Sequence, residues 1–470
     1  MVRLICTESS AAAFFKPGHL HPIGFACVGK ASSLPPLRMP KIPQAPGFDS
    51  TLAVLREGFT FIANRCQQLE TDVFQTRLML QKTICLHGPE AAALFYDPAR
   101  FVRTGAVPRR IQTTLMGQNA IQTLDNGAHQ RRKRLFMDLM TPGRVTYLLE
   151  ILAEEWELAA REWEHMPEVE LFPAAQDVLC RAACAWVGMP LREDEVRLRA
   201  RDFGRMVDAF GGVGARHSRG KRARRRAEAW VRAFVKDVRK GRASAEPNSP
   251  AEAFIWFENE DGLLSPQMTA VEIINLLRPI VAIATYITFG AKALAEHAPY
   301  RLLLQQDDSY AHLFAQEVRR DFPFGPFLGA RVKEDFEWNG YRFPKGTLTL
   351  LDIYGTNHDP RLWQEPDTFW PERFENREPT PFDMLPQGGG DYLSGHRCAG
   401  EWITLSVIKQ AVLFLARCLR YDVPPQDLSY DLTRMPTLPR SGFIMRNVRL
   451  LAPEREAPVA AAVSGCPFHG

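Results

Sequence analysis

The alternation of apolar and polar positions along the chain is helical over most of its length. Residues 50–69 carry apolar side chains every three to four positions, which predicts one amphipathic helix. Residues 141–166 repeat the pattern over a longer stretch. The apolar positions of the first segment are Leu52, Leu55, Phe59 and Ile62. Because no linker rich in Gly, Ser or Pro divides the middle of the chain, one mainly helical body is predicted.

A third segment, residues 265–297, is apolar on nearly all sides and predicts a long helix through the centre of the protein. Ser265 is its expected N-cap. The helix contains Arg278, which is permanently charged, followed by Pro279, which costs about 3 kcal/mol inside a helix. The charge-free stretch after Arg278 is shorter than the ~20 residues of a membrane span, so no transmembrane segment is predicted.

Strand signals are confined to two regions. Residues 77–88 predict a hairpin, and residues 336–343 predict a second one because Asn339-Gly340 is a strong turn signal between aromatic-rich arms. An apolar segment, residues 346–355, follows the second hairpin. The predicted fold class is therefore mainly α with a small β-sheet.

Composition and net charge limit the size of the core and the class of partner. The chain has 470 residues, of which 46% are hydrophobic, and a net charge of only +4, so a large core is expected and no nucleic acid partner. One basic run, residues 216–226, suits either a phosphate site or a solvated helix face. The helix face is favoured because the run leads into an amphipathic helix with Trp230, Phe234 and Val235 on one side.

The nine cysteines have no paired spacing, which indicates a reducing cytoplasm and not a disulfide framework. Cys466 and His469 near the C-terminus suit either a weak metal or haem site or a disordered end. The cysteines expected to be ordinary buried thiols are Cys66, Cys85, Cys180, Cys184 and Cys418. The predicted organisation is an N-terminal extension over residues 1–45, a catalytic body over 46–455 and a flexible tail over 456–470.

One cysteine has a distinctive setting. A glycine-rich loop delivers Cys398 just before Gly400 and a long apolar helix. Helix N-terminal amides, with His396 and Arg397 beside the sulfur, are expected to lower the pKa of the thiol. By itself the loop suits either a free cysteine in a turn or a thiolate ligand.

Other segments decide between these alternatives. Glu317 and Arg320 are one helical turn apart, and Arg373 follows in the proline-bounded segment "PDTFWPERF". This order, ending at Cys398, resembles the cytochrome P450 superfamily over about 400 residues. The resemblance implies that haem b lies between the long central helix and the cysteine loop, that the Cys398 thiolate is the axial iron ligand, and that Glu317, Arg320 and Arg373 are structural.

The sequence departs from the common superfamily pattern at two places. In the loop, Asp391 stands where phenylalanine is usual, and His396 stands two residues before the cysteine in the place of arginine. In the central helix, Arg278-Pro279 replaces the usual acid and threonine. A buried arginine needs an anion, and the nearest upstream acid, Glu272, is six residues away. The anion is therefore expected to be a substrate carboxylate, with a distant acid or a haem propionate as the alternative.

Arg278-Pro279, together with "RPIVAI", "FPFGPFLGA", "YGTNHDPRLW" and "PQGGG", resembles the fatty-acid peroxygenase branch of the superfamily. The resemblance implies direct use of hydrogen peroxide, no obligatory reductase, and a fatty acid whose carboxylate is held by Arg278 and acts as general acid–base. Hydroxylation at the alpha or beta carbon, or both, is implied, with decarboxylation to a terminal alkene as an alternative. An oxygen-dependent monooxygenase with separate redox partners and a non-catalytic haem sensor also stay open.

The same resemblance assigns further residues to the site. Gln122 matches a position that favours hydroxylation over decarboxylation, whereas Arg131 and Arg132 are expected on a solvated face. The remaining substrate-pocket residues are Leu115, Met116 and Phe210. The residues implied for the haem propionates are His129 and Lys133, with Arg103 and His396 as additions.

Overall fold

The computed structural model describes residues 40–451 of the chain. The packed body begins at the first of these, because Ile42 and Ala45 are buried and the Ala45 N–H donates to the Gln75 carbonyl at 2.9 Å. Three predicted features lie mostly or wholly outside the described residues: the extension over residues 1–45, the tail over 456–470, and the pair Cys466 and His469.

Helices form the larger part of the described chain, as predicted. The α-helices are α1 (Thr51–Glu57), α2 (Phe61–Gln68), α3 (Pro89–Phe95), α4 (Arg109–Ile111), α5 (Asn126–Asp138), α6 (Pro142–Trp163), α7 (Leu171–Val187), α8 (Val196–Asp208), α9 (Gly214–Arg239), α10 (Pro250–Ile255), α11 (Pro266–Ala282), α12 (Ala284–Glu296), α13 (Ala298–Gln306), α14 (Tyr310–Asp321), α15 (Tyr354–Asn357) and α16 (Glu401–Leu413). Short 3-10 or π turns cover Gly58–Thr60, Gln112–Met116, Ile121–Thr123, Glu193–Glu195, Pro371–Phe374 and Phe414–Cys418.

The strands form small sheets beside the helical body. They are β1 (Val73–Leu78), β2 (Gln81–Leu86), β3 (Phe101–Val102), β4 (Glu168–Glu170), β5 (Glu258–Asn259), β6 (Gly262–Leu263), β7 (Phe327–Val332), β8 (Phe336–Trp338), β9 (Tyr341–Phe343), β10 (Leu348–Asp352), β11 (Leu419–Asp422) and β12 (Ile444–Leu450). The largest sheet has the order β1-β2-β10-β7-β3, in which only β2 and β10 run parallel. The hairpin predicted over residues 336–343 is present as β8-β9, and its turn residues Asn339 and Gly340 have φ angles of 49° and 75°. The hairpin predicted over residues 77–88 is present as β1-β2 but begins earlier, at Val73.

The predicted central helix passes through the core as α11 and α12. Helix α11 packs against α7, α8 and α9, and α12 packs against α7, α14 and α16. Among the described residues, Pro266–Glu296 is the one span long and apolar enough to cross a membrane. Because 94% of its most apolar window is buried inside the protein, it has the character of a core helix. The Ser265 hydroxyl caps it by accepting from the Met268 N–H at 3.2 Å.

Two segments predicted as single helices are divided. The central helix breaks at Ile283, whose N–H donates to the Ile280 carbonyl at 3.1 Å, four residues after Pro279 removes a backbone donor. Residues 50–69 break at Gly58, which has a φ of 56°. A Cβ there would lie 2.0 Å from the Leu432 carbonyl oxygen, so no other residue fits.

The first helix also buries less than its pattern predicts. Phe59 and Ile62 are buried, but Leu52 and Leu55 are 65% and 45% exposed because the break at Gly58 turns α1 away from the core. By contrast, α6 and α9 follow their predicted patterns closely. The basic run lies on the first half of α9 and is mostly exposed, although Arg224 within it is buried.

Candidate active site

Cys398 lies in the glycine-rich loop that precedes α16. Gly388 and Gly390 have φ angles of 87° and 78°, and a Cβ on either would approach Tyr96 to 2.8 Å and 3.0 Å. Glycine is therefore required for the loop to pack against this half-buried ring. The Cys398 N–H donates to the Gln387 carbonyl at 3.1 Å and holds the cysteine in place.

The expected lowering of the thiol pKa is wrong for the chain alone. Burial raises the pKa of Cys398, although Lys133 and the Gly400 N–H act in the opposite direction. His396 adds no charge, because burial and then Arg103 lower its pKa to about 2. A buried sulfur of this kind becomes a thiolate when a metal cation coordinates it.

Behind the cysteine, Glu401 joins two cations. The Arg397 Nε and Arg319 Nη2 atoms donate to its carboxylate at 2.6 Å and 2.5 Å, and Arg319 Nε donates to Gln387 Oε1 at 2.9 Å. Burial acts against the charged form, but Arg319 and Arg397 hold the pKa of Glu401 below its usual range. Arg397 is thus committed to an internal pair, a role that its position beside the cysteine did not predict.

Glu317, Arg320 and Arg373 come together as predicted. Arg320 donates to both oxygens of Glu317, at 2.8 Å and 2.7 Å, and Arg373 Nε lies 3.2 Å from the same carboxylate. The Trp370 N–H also donates to Glu317, at 2.7 Å. Glu317 and Arg320 are fully buried and form a bidentate pair, and Arg320 donates further to the backbone carbonyls of Asn357 and Pro366. The pair thereby locks α14 to the segment of residues 357–373.

Four basic residues form a second cluster, which we call the basic cluster: Arg103, His129, Lys133 and His396. The His129 and His396 rings stack with centroids 3.9 Å apart, and Lys133 Nζ donates to the Arg397 carbonyl at 2.5 Å. The Arg103 guanidinium lies over the Phe95 ring, and its Nη1 atom is buried without a hydrogen-bond partner.

Burial dominates the titration of this cluster. It lowers the pKa of His129 to about 4 and that of Lys133 to about 8. Asp125 is the carboxylate beside it, but that group accepts the Arg103 and Thr104 N–H groups at 2.7 Å and 2.8 Å. His129 and His396 are therefore neutral at pH 7, and the positive charge of the basic cluster lies on Arg103 and Lys133. The partnerless Arg103 Nη1 makes the cluster suited to bind anionic groups.

On the central helix, Arg278 is buried and ends a chain of polar contacts. Its Nη2 atom donates to Asn275 Oδ1 at 3.4 Å, and Asn275 Nδ2 donates to Glu272 Oε2 at 3.1 Å. Glu272 is fully buried and accepts from Arg132 Nη1 at 2.8 Å and from the Ile121 N–H at 2.9 Å. The prediction that Arg132 lies on a solvated face is wrong: Arg132 is buried, because it pairs with Glu272. The same prediction is confirmed for Arg131, which pairs with Glu260 and is 40% exposed.

Arg278 itself has no carboxylate partner among the described residues, and its Nε atom is buried without any hydrogen bond. Burial and then Arg224 lower its pKa to about 9, whereas Cys398 acts in the opposite direction. The guanidinium stays charged at neutral pH. Arg224 is already paired with Glu228 at 2.6 Å, whereas Arg278 has no carboxylate partner among the described residues and is available to bind an anion.

The other predicted pocket residues are partly buried. Gln122 follows Ile121, whose N–H binds Glu272, and its Oε1 atom is buried without a partner. Leu115 accepts from Arg224 Nη1 at 2.9 Å through its carbonyl. Met116 shares the π turn with Leu115, and Phe210 directly follows α8. Their contact with a substrate stays a prediction.

Sequence reasoning missed the groups that hold Arg278 and the cysteine loop. Asn275 is three residues before Arg278, a spacing that places the two side chains on one helix face and is a usable signal. The pairing of Glu272 with Arg132, 140 positions apart, carries no local signal. The same holds for the pairing of Glu401 with Arg319.

The buried pair of Glu272 and Arg132 makes a testable contribution to stability. Glu272→Gln is expected to lower the free energy of unfolding of the holoprotein by about 3 kcal/mol, since it leaves Arg132 buried without a counter-ion. Glu260→Gln is the matched control, because it breaks an exposed pair with the neighbouring Arg131 and should change stability by less than about 1 kcal/mol. Urea unfolding measures both, and equal effects would contradict the assignment.

The cytochrome P450 family model matches residues 304–446. Among solved structures, cytochrome P450SP alpha (CYP152B1) is 46% identical; the match covers 86% of this chain and 100% of that chain, with a TM-score of 0.84. Cytochrome P450EX alpha (CYP152N1) with myristic acid is 42% identical, with coverages of 87% and 99% and a TM-score of 0.84. A variant of cytochrome P450 OleT in complex with arachidonic acid is 36% identical, with coverages of 88% and 100% and a TM-score of 0.86.

Curated relatives match over shorter segments. Cytochrome P450 4e5, mitochondrial, from Drosophila mettleri is 35% identical over 108 residues, which are 23% of this chain and 20% of that protein. This chain thus spans about a fifth of the length of that relative. The solved structures, by contrast, match over nearly their whole length with the same fold. The chain belongs to the cytochrome P450 family, in its CYP152 fatty-acid peroxygenase branch, and is a haem-thiolate oxidoreductase.

Proposed function

We propose that this protein uses hydrogen peroxide to hydroxylate fatty acids at the alpha carbon, the beta carbon or both, with Cys398 as the ligand of the haem iron. In this reaction a C–H bond becomes C–OH, while hydrogen peroxide is reduced to water. The observation that carries the proposal is Arg278, a buried and charged guanidinium without a carboxylate partner among the described residues.

The described residues fit haem as the cofactor. Arg103, His129, Lys133 and His396 make a buried basic cluster, and the partnerless Arg103 Nη1 suits a propionate carboxylate. Among residues 40–451, no group of three or more His, Cys, Asp or Glu side chains is arranged to hold a metal ion. Cys398 thus offers a single sulfur ligand, which suits an iron whose other ligands come from a porphyrin. When bound through a thiolate, haem supplies the oxidative chemistry that a C–H bond requires.

Arg278 binds and orients the substrate in this proposal. A guanidinium holds a carboxylate through two parallel hydrogen bonds, so the carbons nearest to the acid group are the ones presented for oxidation. The carboxylate held there accepts a proton from hydrogen peroxide and returns it to the departing oxygen as water forms. Asn275 and Glu272 position the guanidinium from behind, and Gln122 supplies a nearby amide that favours hydroxylation over decarboxylation.

The structural neighbours support the substrate class. Two of them were solved with bound fatty acids, myristic acid and arachidonic acid. We also propose a cytoplasmic location, since all six cysteines in the described part of the chain are free thiols.

The test uses purified holoprotein with myristic acid and hydrogen peroxide, without any reductase. Mass spectrometry is expected to detect alpha- and beta-hydroxymyristic acid, and omission of peroxide should remove both. A parallel reaction contains catalase, oxygen, NADPH and a redox-partner pair. Product only in that reaction would establish an oxygen-dependent monooxygenase, a terminal alkene as the main product would establish a decarboxylase, and haem binding without any product would indicate a sensor.

A further inference from the structure

A cavity of about 230 Å³ lies between α7, α8, the central helix and the loop at residues 434–438. Its inner wall includes Ala282 and Thr285 of the central helix. Ala282 is one helical turn beyond Arg278 and shares its helix face. The inner end of the cavity therefore lies one helical turn from the substrate-binding cation, which does not itself line it.

The outer part of this cavity is lined by arginines. Arg201 and Arg205, one turn apart on α8, line it together with Arg434 from the facing loop. Arg201 is exposed and Arg205 is half-buried. We call these three residues the arginine rim.

The rim carries more positive charge than its surroundings neutralise. The side chains of Arg201 and Arg205 have no hydrogen bond or ion pair with any described residue. The carboxylate that lines the cavity, Asp208, is shared between Arg434 at 2.6 Å and Arg216 at 3.0 Å. Asp202 is buried and paired with Arg226. Burial, followed by Arg201, lowers the pKa of Arg205, as expected for a cation beside uncompensated cations.

The excess positive charge is confined to this part of the chain. Residues 196–226 contain eleven Lys or Arg and only two Asp, whereas the whole chain has a net charge of +4. The basic run at residues 216–226 therefore adds to the positive potential around the rim, beyond the solvated helix face predicted from sequence.

A simple fatty acid complements only one end of such a cavity. A fatty acid held at Arg278 whose chain enters this cavity would place its methyl end near guanidinium groups, which would lose hydration without gaining a partner. A second anion at the far end of the chain would instead form charge-assisted hydrogen bonds with Arg201 and Arg205.

We propose that the arginine rim is a second anion-binding site and that the preferred substrates are long-chain dicarboxylic acids, one carboxylate at Arg278 and the other at Arg201 and Arg205. This inference rests on the proposed function for the role of Arg278. The rim does not touch the reacting carbons; it selects the substrate through its far end.

The test compares binding of myristic acid and of tetradecanedioic acid, which has the same number of carbons, to the holoprotein without peroxide. Isothermal titration calorimetry and the haem spectral shift give the dissociation constants, and diacids from decanedioic to octadecanedioic acid cover different spans. The wild type is expected to bind the best-fitting diacid at least about tenfold more tightly than the monoacid of equal length. The double variant Arg201→Gln/Arg205→Gln should lose this preference and keep its affinity for myristic acid within about twofold.

Arg197→Gln is the control on the same helix, because it removes one positive charge from α8 at a residue that does not line the cavity and has a side chain 91% exposed. It should leave the diacid preference unchanged. No preference in the wild type, a preference that survives in the double variant, or an equal loss of both acids would each overturn the inference. If myristic acid is not oxidised with peroxide, the proposed function fails, while the diacid comparison, made without peroxide, is still decided by its own result.

Discussion

Arg278→Leu is expected to abolish fatty acid oxidation while leaving the haem spectrum of the resting protein unchanged. Losing one partner of a buried, hydrogen-bonded charge pair costs about 2 to 5 kcal/mol, which corresponds to about 30-fold to about 4,000-fold weaker binding of the acid. The rate of oxidation should fall further, because the carboxylate that exchanges the peroxide proton is no longer held in place. General acid–base catalysis contributes about 100-fold or more to the rate.

Steady-state oxidation of myristic acid and its binding by calorimetry measure these effects separately. Arg278→Lys should fall between the wild type and the leucine variant, because an ammonium keeps the charge but lacks the two-pronged geometry. Arg225→Leu, which removes an exposed cation from α9, should leave both quantities unchanged. Oxidation by the leucine variant at the wild-type rate would refute the role given to Arg278.

The same substitution should have the opposite effect on stability. Burial lowers the pKa of Arg278 to about 9 from 12.5, so the charged form is disfavoured in the substrate-free protein. Leucine removes that penalty, and the free energy of unfolding should rise by an amount on the order of a few kcal/mol. The permanent charge expected from sequence is weakened by this burial. In the wild type, binding of the acid should weaken as the pH rises past about 9, because burial and then Arg224, opposed by Cys398, make this guanidinium easier to deprotonate than an ordinary arginine.

Cys398→Ser is expected to remove the thiolate-ligated haem spectrum and reduce peroxide-driven oxidation to background. A serine hydroxyl keeps the size of the side chain but is not ionised at neutral pH and does not donate electron density to iron as a thiolate does. The visible spectrum of the reduced, carbon monoxide-bound protein and the haem content per chain measure the change.

Cys418→Ser is the control for Cys398→Ser, since Cys418 is a partly buried free thiol at the end of the π turn after α16. It should keep the spectrum and the activity of the wild type. A thiolate spectrum that persists in Cys398→Ser would mean that another cysteine binds the iron and would remove Cys398 from the site.

The predictions about charge near Cys398 agree least well with the structure. His396 and Arg397 are adjacent to Cys398 in the chain, which suggests that they lower the pKa of the thiol. In the fold, burial makes His396 neutral and Glu401 pairs with Arg397, so neither supplies a free charge. The i, i+4 spacing of Arg397 and Glu401 is a local signal for their pairing. The burial that makes His396 neutral depends on segments packed around it, and local sequence does not contain that information.

The sequence by itself determined the helical character of the body, both hairpins, the loop that presents Cys398 and the presence of Arg278-Pro279 in an apolar helix. These features depend on side-chain periodicity, turn preferences and short spacings, which act within a few residues of one another. Only the tertiary structure decided that Arg132 is a buried partner of Glu272, that Gly58 divides the first helix against Leu432, and that Arg201 and Arg205 line a cavity. Each of these depends on burial and on contacts between segments far apart in the chain, because desolvation and close packing exist only once those segments have come together.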